Sequence, residues 1–437
     1  MTQHRPTGTA PTTAAPSSAR TAAPVWPALA ALALGGFGIG TTEFATMGVL
    51  PEMARDLGAT VPEGGHLVSA YAVGVVVGAP TLAALGARLP RRMLLLALVS
   101  AVLVGNALSA VAPSFPALLV ARFLSGLPHG AYFGIAAVVA ASLVTPDRRA
   151  RAVARVMLGL TVSNVVGVPL ATVLGQQLGW RSTYAAVVLV SGLALVAISR
   201  CVPPVAALDG ASPRRELGAL RRPQVWLTLA VGSVGFGGFF AVYSYITPTL
   251  VEVAGFRTAA VPAALALFGV GMTVGTELGG RLADRSVMGT LFLGMTASAL
   301  ALAAFSVTVH TVVGAAVTVF VIGMTGSSTI PALQTRLMDV AGDAQSLAAA
   351  GNHAALNAGN ALGAFLGGAV VAAGFGWTSP ALVGAGLGVL GLGVLTVSYL
   401  LDRRAGGPAA PVATAPVTAP VDAPVDATPQ GSAAPVG

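Results

Sequence analysis

The chain has 437 residues, of which 55% are hydrophobic and only 9% are Asp, Glu, Lys or Arg, against about a quarter charged in soluble domains. That composition excludes a water-facing surface, and the 55 Gly suit helices that pack closely in lipid, so the chain reads as an integral membrane protein. All 23 basic residues are Arg, which removes a Walker-A phosphate loop and a Lys Schiff base. The single Cys201 and five scattered His leave no disulfide, cysteine cluster or zinc spacing. No enzyme activity, metal or cofactor is therefore expected, and the net charge of +8 reads as membrane topology rather than nucleic-acid binding.

Residues 1–27, rich in Ala, Thr and Pro, lack the apolar core and cleavage site of a secretory signal and read as a disordered tail. Twelve apolar stretches follow, near 28–50, 66–87, 92–112, 115–143, 153–175, 182–202, 225–247, 260–282, 288–309, 312–333, 346–373 and 379–401. Each is long enough to cross about 30 Å of hydrocarbon. Beyond them, 402–437 repeats Ala-Pro-Val units, a composition of extended disordered chain. With the first stretch starting inside, 19 Arg fall in inside segments and only Arg55, Arg181 and Arg257 outside. The positive-inside rule thus places both termini in the cytoplasm.

An offset of 197 residues lays the second half on the first: Pro51 on Pro248, Gly58 on Gly255, Gly74 on Gly271, Gly78 on Gly275, Arg88 on Arg285 and Trp180 on Trp377. Asn164 and Gly167 match Asn360 and Gly363 at 196. Six spans separate each pair, so the halves run parallel, as in transporters whose substrate site lies between two rocking bundles. The expected fold is an all-α membrane protein of two parallel-repeat six-helix bundles, 28–202 and 225–401, joined by a charged, Pro-rich cytoplasmic linker at 203–224.

Span 1 carries Thr42, Glu43 and Met47, and span 2 carries Tyr71. The loop after span 2 reads Leu85-Gly-Ala87-Arg88-Leu-Pro-Arg91-Arg92. Span 4 runs Arg122-Phe-Leu-Ser-Gly126-Leu-Pro-His129-Gly130, with Tyr132 just beyond. An ionised Arg at mid-helix costs about 3 kcal/mol on insertion scales and needs a partner. Glu43 and Arg122 lie at a common depth, about 10 Å below the outer surface at 1.5 Å per residue, and can meet if spans 1 and 4 are neighbours. Two readings fit: a proton-coupling site in which the Arg and an arriving substrate set the carboxyl's occupancy, or a static pair holding helices together.

Span 5 places Asn164, Gly167 and Pro169 in a Gly- and Pro-rich run, suited to close packing and a kink. Span 7 repeats Phe236, Phe239, Phe240 and Tyr243 on one helical face, either to stack on a lipophilic ligand or to face lipid and neighbouring helices. Glu277, near the end of span 8, reads as a gate or structural partner of Arg281, and the following loop holds Gly280-Arg-Leu-Ala-Asp284-Arg285. Span 11 offers Asn352, His353, Asn357 and Asn360; such amides either bind ligand or bridge helices. His129 reads first as hydrogen-bonded structure.

The Gly280–Arg285 loop, the Arg122–Gly130 run and the span 5 run together resemble the major facilitator superfamily. Within it they are similar to bacterial twelve-span drug:proton antiporters of the chloramphenicol-efflux and arabinose-efflux-like branch, over roughly residues 28–401. The resemblance implies a monomeric inner-membrane exporter of a small hydrophobic or amphipathic compound, such as chloramphenicol, in exchange for protons. It also implies that Arg88, Arg91, Arg92, Asp284 and Arg285 latch the cytoplasmic face in the outward-facing state, with Ala87 standing where the family usually has Asp. Gly126, Gly130, Gly167, Pro169, Glu277 and Gly280 are the accompanying gating and packing positions. Thr42, Met47, Tyr71, His129, Tyr132, Asn164, the span 7 stripe, Asn357 and Asn360 are the candidate substrate contacts. Export of a sugar, nucleoside or other endogenous metabolite is the rival within transport, and a non-cycling sensor or channel the rival outside it.

Overall fold

The computed structural model describes residues 25–86, 88–145, 148–205, 221–342 and 345–404. Most of both expected tails, the linker over 206–220 and Ala87 lie outside the described residues. Among those described, twelve helices are long and apolar enough to cross a bilayer. Spans 1 to 6 are Trp26–Gly48, Val61–Leu82, Arg91–Ala110, Phe115–Ser142, Arg151–Leu178 and Arg181–Cys201. Spans 7 to 12 are Pro223–Tyr243, Thr258–Ala283, Val287–Thr308, Val312–Ala341, Ala350–Ala372 and Ser379–Arg404. The last helix continues past the boundary expected at 401, because Asp402 is bonded rather than free: Arg336 donates to it, and Gln224 accepts from both Arg336 and Ser398. Span 7 likewise begins at Pro223, inside the expected linker.

Short helices Leu50–Asp56 and Ile246–Glu252 follow spans 1 and 7, and each is closed by a glycine at positive φ, Gly58 at 66° and Gly255 at 74°. Only glycine takes that conformation at no steric cost. Span 4 breaks between Gly126 and Pro128, whose missing N–H removes one helix hydrogen bond. Span 5 widens into a π turn at Ser163–Gly167.

The duplication holds at the level of atoms. A Cβ on Gly74 or Gly78 would overlap the carbonyl of Phe123 or Leu127 in span 4; on Gly271 or Gly275 it would overlap the carbonyl of Phe320 or Met324 in span 10. The reciprocal contacts repeat too, Gly126 against the Tyr71 carbonyl and Gly323 against that of Phe268. Each half is therefore clamped backbone to backbone, where dispersion between close helices replaces the absent hydrophobic drive.

The two halves meet unevenly. Calling the ends of spans 1 and 12 nearest Trp26 and Arg404 the terminal face, every hydrogen bond between halves among the described residues lies toward the opposite, far face. Thr247 Oγ1 donates to the Met47 and Gly48 carbonyls at 3.1 and 3.2 Å, Ser69 to Ala361 at 3.1 Å, Gln176 to Thr258 at 3.2 Å, and Tyr245 to Pro62 at 3.5 Å. Span 8 packs on the π turn and far-face part of span 5, and the contact thins toward the terminal face. The far face is sealed.

A charged cluster caps that face in the first half. Arg181 Nη1 and Trp180 Nε1 donate to Asp56 Oδ2 at 2.5 and 2.9 Å. These hydrogen bonds, Arg181's first, hold the Asp56 carboxyl below the usual carboxylate range. A depressed folded-state pKa contributes stability above the unfolded value that is lost as pH falls through the folded one. Asp56→Asn is expected to lower the melting temperature modestly at neutral pH, with the deficit closing as the buffer is acidified past that carboxyl's titration; a melting series against pH reads it.

Candidate functional site

Arg122 is fully buried in span 4, so its charge must be answered from neighbouring helices. Its Nη1 donates to Thr42 Oγ1 at 3.0 Å and its Nη2 to the Thr42 carbonyl at 3.1 Å. The guanidinium lies 4.4 Å from the Tyr71 ring centroid and 5.5 Å from that of Tyr184, a cation–π sandwich. Thr42 Oγ1 in turn donates to Asn106 Oδ1 at 2.5 Å, and Asn106 Nδ2 donates to the Val102 carbonyl at 2.8 Å.

Glu43, the next residue along span 1, turns the other way. No ion pair joins it to Arg122 among the described residues, so the direct pairing allowed by their common depth is replaced by a bridge through Thr42. The Glu43 carboxylate faces His129, with Oε2 3.8 Å from Nδ1, and the Tyr71 hydroxyl is 3.0 Å from the same nitrogen. From the second half, Asn360 points its amide toward Glu43 without closing a hydrogen bond.

Asn360 is one of several under-used buried amides on spans 5 and 11. Asn164 Oδ1, Asn352 Oδ1, Asn357 Oδ1 and both side-chain atoms of Asn360 have no hydrogen-bond partner. An unmade bond at a buried polar group costs about 1–3 kcal/mol, and a concentration of them between two bundles is what a ligand with its own donors and acceptors relieves. An aromatic wall stands beside them. Phe236, Phe239, Phe240 and Tyr243 are all buried, stacking among themselves, with Phe44 of span 1 at 5.9 Å from Phe240, and with Phe268 of span 8 at 4.1 Å from Tyr243. The stripe faces inward, toward the seam and a cavity lined also by Met295, Ser298 and Thr329.

Other expected residues fall elsewhere. Tyr132 sits in the core of the first half and donates to the Leu32 carbonyl at 2.7 Å, so its hydroxyl is occupied within the bundle rather than offered to a ligand. Met47 belongs to the far-face seal. Gly167 packs span 5 on Thr41 and Phe37 of span 1, Gly130 faces Ala79 and His353, and Pro169 opens the helix after the π turn. Gly280 borders open space. At the terminal face Arg91 is buried with its N–H on Val205, and Arg92 donates to Ser199, both within the first half. Arg88, Asp284 and Arg285 are exposed, and the side chains of the last two make no hydrogen bond or ion pair among the described residues. Glu277 pairs with Arg281 at 2.8 Å, one turn away on an exposed helix face. Sequence reasoning missed Tyr184, Phe44, Phe268 and Asn106; a lone amide inside the apolar span 3 was the signal for the last.

The sequence matches the Major Facilitator Superfamily over residues 32–350 and again over 263–425. The chain belongs to the major facilitator superfamily. Among members of the superfamily it is 43% identical over 371 residues to the inner membrane transport protein YdhP of Escherichia coli (strain K12), covering 84% of this chain and 94% of that protein. It is 35% identical over 329 residues to a chloramphenicol resistance protein of Streptomyces lividans, covering 74% and 84%. In fold it is similar to the crystal structure of a bacterial homologue of the human lysosomal transporter Spinster, inward-facing and unoccupied, with a TM-score of 0.67 at 17% identity over 88% of this chain and 98% of that one. Membership makes the protein a secondary transporter and not an enzyme.

Proposed function

We propose that this superfamily member is a proton-coupled exporter of small amphipathic compounds across the bacterial inner membrane, of the chloramphenicol-efflux and arabinose-efflux-like branch. The observation that carries the reading is the carboxyl of Glu43, buried between the halves among unpartnered amides and an aromatic wall. Such a site suits a ligand with one flat apolar face and several polar groups, and an intramembrane acid is the usual seat of proton coupling. The names of the two relatives, one an inner membrane transport protein and one a chloramphenicol resistance protein, point the same way.

The terminal face is assigned to the cytoplasm, where the Arg-rich segments gather. With the far face sealed and the Asp284 and Arg285 side chains unpaired among the described residues, the arrangement is that of an inward-open transporter whose cytoplasmic latch is released. The cycle then runs by loading from the cytoplasm, opening outward, releasing substrate, protonating Glu43 from outside, and returning to deliver the proton inside.

The amide concentration favours one second reading, export of a polar metabolite such as a sugar or nucleoside. Both are tested by the accumulation of antibiotics and dyes, chloramphenicol included, and of labelled sugars and nucleosides in expressing cells, with and without a protonophore. Export predicts lower drug accumulation that the protonophore restores. A response confined to sugars or nucleosides selects the second reading, and flux without counterflow selects a channel.

A further inference from the structure

A proton taken up by a buried carboxyl must later reach water on the opposite side. Glu43 is 6% exposed and the far face is closed, so in this arrangement its proton leaves toward the terminal face. Two histidines lie in that direction. His129 Nδ1 is 3.8 Å from Glu43 Oε2 and sits on span 4 two helical turns nearer the terminal face than Arg122. The His129 ring, 2% exposed, lies 5.9 Å centroid to centroid from that of His353 on span 11, so the two rings are neighbours across the seam. His353 stacks on Phe133 at 5.5 Å and 9°, is half-buried, and lies eight residues from the terminal-face start of its helix, Gln345–Ala372.

We propose that His129 and His353 form a relay that carries the proton of Glu43 to the cytoplasm. This rests on the proton-coupled reading above and names its path. In the first step the Tyr71 hydroxyl swings off His129 Nδ1, whose freed lone pair takes the proton of Glu43, leaving a carboxylate and an imidazolium. The imidazolium releases the proton on Nε2 to the free ring nitrogen of His353, which gives up a proton to water at the terminal face; a ring turn restores the starting tautomer of each. Imidazole suits the task because one ring nitrogen can accept a proton while the other donates one. Tyr71, whose hydroxyl meets Nδ1 at 3.0 Å, is a positioning residue that keeps this nitrogen turned toward span 1.

The groups facing His129 are Glu43 from span 1, Tyr71 from span 2 and His353 from span 11, while Arg122 on its own helix is turned to Thr42. Spans 3 and 5 place no ionisable group in a hydrogen bond or ion pair with it among the described residues. One histidine belongs to each half, and Gly130, with no side chain, lets the two approach. Rocking the halves against each other therefore changes the separation of the two histidines by the same motion that moves the substrate.

The test needs no substrate. Purified full-length protein in liposomes is subjected to an acid jump, and the Glu43 carboxyl band is followed by time-resolved infrared difference spectroscopy, identified by its loss in Glu43→Gln. His129→Gln and His353→Gln are expected to keep the band's amplitude, which reports an intact fold, and to slow its appearance roughly tenfold or more; Tyr71→Phe slows it less. His353→Gln, at a half-buried position, decides the matter even if His129→Gln does not fold. Wild-type rates in the histidine variants overturn the relay alone. A wild type with no titrating Glu43 band overturns the coupling reading as well.

Discussion

Glu43→Gln is expected to abolish uphill transport driven by a pH gradient while sparing exchange of substrate for substrate. Gln keeps the size of the side chain and its acceptor oxygen, so the contacts with His129 and Asn360 remain available, but it cannot take or give the proton. If substrate and proton oppose each other through this carboxyl, their coupling is a reciprocal free energy, typically 1–3 kcal/mol or about 5- to 150-fold in affinity. Acid should therefore weaken substrate binding to the wild type, and the variant should bind with an affinity indifferent to pH. The sign follows from the cycle, in which the protonated form is the one that returns empty. Proteoliposomes report both quantities: gradient-driven flux should fall by roughly a hundredfold with counterflow retained. A variant that still concentrates substrate against its gradient places the coupling elsewhere and leaves Glu43 a structural group.

Gly269→Val is expected to hold the transporter open at the far face. Gly269 of span 8 lies against the backbone of Asn164 and Val165 in the π turn of span 5, and a Cβ there would overlap the Asn164 carbonyl. Backbone cannot swing aside as a side-chain tip can, so closure is penalised by the strain of overpacking, about 1–3 kcal/mol. An equilibrium shifted by that amount depopulates the sealed state roughly 5- to 150-fold. Transport falls with it, because a cycle needs both states. Cys201 is the single thiol and is exposed, so a Cys201→Ser background carrying Thr247→Cys gives one reporter, placed where Thr247 is now 2% exposed. An impermeant maleimide added outside should label it slowly in the parent and fast with Gly269→Val. Gly78→Val, which strains the contact between spans 2 and 4 inside one half, should instead lower stability without changing the labelling rate. Equal labelling in all three removes the seam as a determinant of state.

Spans and duplication were legible because both are written in one dimension. Charge-free length marks a membrane helix, and glycines that meet backbone recur at the interval of the repeat. The drop in offset from 197 to 196 near Asn164 also has a structural counterpart: span 5 accommodates a π turn there, whereas the matching stretch of span 11 is a continuous α-helix, and a π turn is how a helix absorbs one added residue. The rotation of each helix about its axis was not legible. Glu43 and Arg122 share a depth, yet Thr42 intercepts the guanidinium, which depends on phase and on a backbone carbonyl that hydropathy does not see. The same limit left the span 7 stripe undecided between lipid and interior, and assigned a ligand-facing role to Tyr132. Asp402 read as tail because its partner Arg336 is near only in space.

The paired glycine contacts leave a mark that can be sought without any substrate. Because Gly74, Gly78 and Gly126 meet the same carbonyls in one half as Gly271, Gly275 and Gly323 meet in the other, a saturation-mutagenesis map scored only on protein abundance should show its intolerant sites in couples. Sensitivity at one position would then forecast sensitivity at its twin. Seam positions such as Gly269, which faces a carbonyl of the opposite half, should stand out as singletons, tolerated for abundance and penalised only when fitness demands transport.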